Sequence, residues 1–186
     1  MSQNSTKRWF NLEEQFFNQV DNALLEKLRG QMSVEQTAEQ IAQVTGIADK
    51  QLAQEIAKLD VTVETLSAFR LTPLVAVAWA DDRIEENERY AIIRSAEKAG
   101  IQAEDPAMQL LESWTKRRPS EELLNAWCDY TTALIASLND EHRVTLKKEI
   151  MKSVESVAEA SGGVLGFGSV SPSEKAVIAR IEAALS

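Results

Sequence analysis

The chain has 186 residues, 44% of them hydrophobic and 26% charged, with a formal net charge of −9. That length and composition suit one compact unit with a sizeable core and exclude global disorder. The spread acidity excludes the basic footprint of a phosphate-backbone binder, and no apolar run approaches the roughly 20 residues of a membrane span.

Only 7 Gly and 4 Pro interrupt the chain, and the aromatic and β-branched residues never alternate as strands require, so an all-α multi-helix bundle of nine or ten helices is expected. In chain order, residues 1–6 read as a frayed end. Over residues 8–29, Phe10, Phe16, Phe17, Val20, Leu24, Leu25 and Leu28 recur at helical spacing, with Gly30 as the stop. The other face carries Glu13, Glu14, Asp21 and Glu26, which anionic lipid would repel, so core packing is expected rather than membrane binding. Lys7-Arg8 opens an amphipathic stretch rather than an apolar one, so no secretory signal is read; with the lone Cys128 excluding an intrachain disulfide, a cytoplasmic protein is expected by default.

Short helices follow at about 33–45, 49–59 and 61–70. Thr45-Gly46-Ile47 and Ala99-Gly100-Ile101 both read as helix ends, with glycine in the left-handed position and isoleucine folding back. Further helices are expected at 71–80, 86–99, 106–116, 121–138, 141–160 and 172–185. Lys116-Arg117-Arg118 reads as cations complementing the end of one of these.

Two helix–loop–helix units stand out. Residues 71–88 run through an alanine-rich helix and Asp81-Asp82-Arg83-Ile84-Glu85-Glu86-Asn87-Glu88; residues 151–174 run through a second such helix, a glycine-rich loop and Val170-Ser171-Pro172-Ser173-Glu174. In each, a glutamate follows a β-branched residue by four positions, as the N3 residue of a capping box with Glu85 or Ser171 as N-cap. Capping therefore explains the recurring glutamate, but leaves Asp81 and Asp82 over. Crowded oxygen ligands suit a hard divalent cation, so Asp81, Asp82, Glu85 and Glu88 form a candidate site for Ca²⁺ or Mg²⁺. The spacing is not that of an EF-hand.

Val77-Ala-Trp-Ala-Asp-Asp-Arg-Ile-Glu-Glu-Asn-Glu88 resembles the alanine–aspartate–glycine motif of the TerB-like domains, the family of the tellurite-resistance protein TerB. The resemblance covers about residues 71–186 and leaves 1–70 as an N-terminal helical extension. It implies a bundle of two related helix–loop–helix halves and an acidic surface that binds divalent metal, with Asp81 and Glu88 at the family's positions. Asp82 stands where the family has glycine, and Ser161-Gly162 stands where the second aspartate would fall. A link to tellurite or stress resistance is implied by the resemblance alone.

Other signals carry less. Residues 37–56 have the apolar pattern of a helix-turn-helix, the alternative reading being a DNA-binding protein. The second helix, however, offers Lys50, Gln51, Gln54 and Lys58 beside Asp49 and Glu55, with no arginine, so nucleic acid is not the expected partner. The loop 161–169 holds four glycines but lacks the Gly-Lys-Ser/Thr of a phosphate-binding loop; its Leu165 and Phe167 are expected to tuck between helices. Trp9, Trp79, Trp114 and Trp127 read as core. His142 and Cys128 have no partners that mark a nucleophile, and a hydrolase would need scattered carboxylates such as Asp81 with Glu112 or Asp140. The expectation is a non-enzymatic cytoplasmic protein that binds a partner protein, with a divalent cation tuning the acidic turn.

Overall fold

The computed structural model describes residues 34–160 and 170–186. Among them are nine helices and no strand: α1 (Val34–Thr45), α2 (Lys50–Lys58), α3 (Leu66–Phe69), α4 (Thr72–Ala78), α5 (Glu86–Lys98), α6 (Pro106–Lys116), α7 (Glu121–Ser137), α8 (Asp140–Ala160) and α9 (Pro172–Ala184). The all-α expectation holds. The helix expected over 8–29, with Trp9, and the loop residues Leu165 and Phe167 lie outside the described residues.

Helix boundaries follow local chemistry. Gly46 (φ 73°) ends α1 with a single bond, its N–H donating to the Ala42 carbonyl at 2.9 Å. Gly100 (φ 86°) ends α5 with the fuller two-bond cap: Gly100 N–H donates to the Glu97 carbonyl at 3.0 Å, and Ile101 N–H to the Ala96 carbonyl at 3.1 Å. Ile101 is thereby buried. Asp49 caps α2, its carboxylate accepting from the amides of Gln51 (2.9 Å) and Leu52 (3.2 Å). The helix expected over 61–70 is corrected to one turn, Leu66–Phe69. Its first half is a hydrogen-bonded turn instead, with the Thr62 amide donating to the Thr65 hydroxyl at 2.9 Å, because threonine side chains compete for backbone groups.

The hub is α4. Its sequence Thr-Pro-Leu-Val-Ala-Val-Ala is apolar almost all round, the pattern of a helix with no solvent face, and six of its seven residues are buried. Around it lie α5, α7, α8 and α9, while α2 packs on α7 and α3 on α6. The first hairpin (α4–α5) thus rests against the second (α8–α9). One continuous core runs from Ala38 in α1 to Leu185, so the residues before 71 share it with those after. Trp127 and Phe69 are its largest fully buried side chains, and Phe69 meets Tyr130 edge to face at 5.8 Å between ring centroids.

Candidate functional site

The acidic turn between α4 and α5 is built around left-handed backbone at Asp82 (φ 66°). Aspartate tolerates that conformation better than most side chains, which is how the chain turns without glycine there. The four candidate ligands then part company. Asp82 pairs with Arg118, beyond the end of α6. Arg83 lies between Asp81 (4.0 Å) and Glu85 (3.9 Å). Glu88 turns inward and is only 2% exposed. Among the described residues, no group of three or more His, Cys, Asp or Glu is arranged to hold a metal ion. Glu112 pairs with Lys116 and Asp140 with Arg143, so the scattered carboxylates have partners of their own.

Capping explains where Glu88 goes. The Glu85 amide donates to its carboxyl at 2.8 Å, the return bond of the capping box. The second half repeats the device: the Ser171 amide donates to Glu174 at 2.5 Å, and the Glu174 amide to the Ser171 hydroxyl at 3.1 Å. Glu174 is 4% exposed. The packing of the two hairpins brings these two N3 glutamates into each other's field. Burial, then the charges of Glu174, Asp81 and Glu85, push the Glu88 carboxyl from its ordinary 4.5 up to about 7 against the pull of the Glu85 amide.

The helix-turn-helix reading finds two packed short helices, α1 and α2, but not a basic reading face. On α2 the exposed face holds Lys50, Gln51, Gln54, Glu55 and Lys58; Asp49 is spent on the cap and Gln51 donates to Glu55 at 3.2 Å. His142 is exposed. Cys128 is half-buried and its thiol is pushed up by burial, which disfavours the reactive thiolate.

A second feature is a groove of about 560 Å³ bounded by the end of α1, the start of α4, and facing stretches of α7 and α8. Its floor is Leu74, Trp127 and Tyr130; half-buried Leu71, Leu134, Leu138, Leu146 and Ile150 form its walls, and Arg70, His142 and Glu149 its polar rim. The groove exists because α8 is gripped at one end. Of its 21 residues only Val154, Val157 and Ala158 are buried, while Leu146, Ile150 and Met151 pack against the core only in part. Val44 (60%), which lines the groove, and Val144 (67%) are among the exposed large hydrophobics. Sequence reasoning missed this site: apolar residues at helical spacing along 141–160 signal a face to be covered, not which helix covers it.

Scans of family models, curated proteins and solved structures return no match to the chain. No helix among the described residues is long and apolar enough to cross a membrane.

Proposed function

We propose that this chain is a non-enzymatic cytoplasmic interaction protein of TerB-like kinship, whose groove between α4, α7 and α8 receives an amphipathic helix of a partner protein. One observation carries the reading: a trough of about 560 Å³ lined mainly by apolar side chains with a minority of polar ones, which is the form that helix-in-groove recognition takes. The kinship is supported by the repeated capping boxes at Glu88 and Glu174 in two hairpins that pack together. The absence of catalysis is supported by the raised Cys128 thiol and the separately paired carboxylates.

The test is crosslinking in cells with the unaltered chain beside a Leu134→Asp/Ile150→Asp variant. Partners that depend on the groove are lost from the variant while its helical content is unchanged. Recovery of the same partners by both removes the groove from the function.

A divalent cation at the acidic turn is the second reading, favoured by the mutual field of Glu88, Asp81 and Glu174. An ion would relieve that repulsion. Calorimetric titration with Ca²⁺ and with Mg²⁺ is expected to give heat that an Asp81→Asn/Asp82→Asn variant loses; equal traces from both proteins end the idea.

A further inference from the structure

The floor of the groove holds hydrogen-bonding groups that the fold leaves unspent. We propose that it binds a neutral, mainly apolar small molecule whose carbonyl oxygen accepts from the donors that α7 presents there: the Trp127 indole N–H and the Tyr130 and Thr131 hydroxyls. This goes beyond the helix reading above and stands without it.

The sequence sets these donors on one stripe. Trp127, Tyr130, Thr131 and Leu134 follow at i, i+3, i+4 and i+7 along α7, and all four line the groove. The first three are 2%, 6% and 2% exposed. Buried indoles and phenols ordinarily find a partner, as the Trp79 indole does at the Trp114 carbonyl. The hydroxyls of Thr45, Thr145 and Ser153, which also line the groove, donate to carbonyls of their own helices at 2.6, 3.0 and 3.1 Å. The Trp127 N–H and the Tyr130 and Thr131 hydroxyls have no hydrogen-bond partner among the described residues. Nor are they sealed in: the enclosed polar side-chain atoms without a partner among those residues are Thr72 Oγ1 and Arg89 Nε. It is therefore at the groove that the three groups of α7 open to a ligand. The Tyr130 ring meets Phe69 edge to face at 5.8 Å, so its hydroxyl is positioned before anything binds.

Size and charge then set the class of ligand. A volume of about 560 Å³ lies within the roughly 300–1,000 Å³ of small-molecule sites, where an apolar lining buries the body and a few polar groups orient it. An indole N–H donates and cannot accept, so the ligand must bring an acceptor to it. The ionisable groups of the lining are Arg70, His142 and Glu149, all exposed at the rim, and the charges of Arg70 and Glu149 cancel. A charged group drawn down to the floor would leave water without a counter-ion, which disfavours carboxylates, phosphates and amines. A carbonyl oxygen supplies the acceptor without that cost.

Three probes of one shape test this on the full chain by ligand-observed NMR titration: benzophenone, diphenylmethane, which lacks the carbonyl, and 4-benzoylbenzoate, which adds a charge. Benzophenone is expected to bind about tenfold more tightly than either of the others, the worth of one hydrogen bond to a buried donor. A Tyr130→Phe/Thr131→Val variant is expected to lose several-fold in benzophenone affinity and to hold diphenylmethane as before. A Leu134→Asp/Ile150→Asp variant should bind none of the three. No saturable binding of benzophenone overturns the proposal, as does equal binding of benzophenone and either other probe. Full benzophenone affinity in the Leu134→Asp/Ile150→Asp variant places the site elsewhere and overturns it too. Should Tyr130→Phe/Thr131→Val lose helical content, the three-probe comparison on the unaltered chain decides with the Asp variant. The helix reading fails separately. Partners that still depend on the groove, with no benzophenone bound, overturn this proposal alone. Benzophenone bound as expected, with the same partners recovered by both proteins, upholds it and removes the docking of a helix.

Discussion

Glu88 is a carboxyl that folding removes from water and then places beside other carboxylates. In the unfolded chain it titrates near 4.5, and in the folded protein near 7. Between those values the native state holds the proton more firmly than the unfolded state does, so stability is highest below about pH 4.5 as far as this group is concerned. It falls as pH rises, and the loss is complete above 7, on the order of 3 kcal/mol. Glu88→Gln keeps an acceptor for the Glu85 amide and cannot ionise. Urea unfolding at about pH 5 and about pH 8 is expected to show a smaller fall for the Gln variant than for the unaltered chain; parallel falls would mean that the charge on Glu88 costs nothing. The capping role of Glu88 was legible in the sequence, because Glu85 and Glu88 stand three apart before a helical run. Its burial was not, since that depends on where Glu174, 86 positions on, comes to rest.

At the scale of elements, the two glycine caps are the most exacting positions. A Cβ built at Gly46 or Gly100 meets nothing within 4 Å, so the cost of alanine there is backbone strain alone. Gly46→Ala and Gly100→Ala are each expected to destabilise by about 1–2 kcal/mol, the penalty for left-handed backbone without glycine. Thermal melts should show this as midpoints lower by roughly 2–8 °C in a chain of this size. Both caps were readable as Gly-Ile pairs after helical runs, and eight of the nine described helices fall within a residue or two of their expected bounds. The exception is α3, expected over 61–70, where the side-chain bonds of Thr62 and Thr65 hold the first positions in a turn. Periodicity does not register such competition.

At the scale of the molecule, the core joins residues on both sides of position 71. Ile41, fully buried in α1, belongs to the same cluster as Ile181 in α9. Ile41→Ala is expected to cost about 2–5 kcal/mol and to lower one common transition, followed alike by circular dichroism and near-ultraviolet signal. Two separate transitions, with only the earlier one moved, would mean that α1 and α2 fold apart from the rest. The repeated capping pattern of the two hairpins was visible in the sequence. The groove was not, because concavity arises from four elements meeting, and its walls at Leu134 and Ile150 are ordinary apolar helix positions until their neighbours are placed.

One bond gives the molecule a reporter of its own. The Trp79 indole N–H donates at 2.8 Å to the carbonyl of Trp114, tying the end of α4 to α6 only two residues before Asp81. Indole emission responds to hydrogen bonding and to nearby charge. Any ion or ligand that reorganises the acidic turn should therefore shift the intrinsic fluorescence without an added dye, and a Trp79→Phe substitution identifies the part of the signal that comes from this ring.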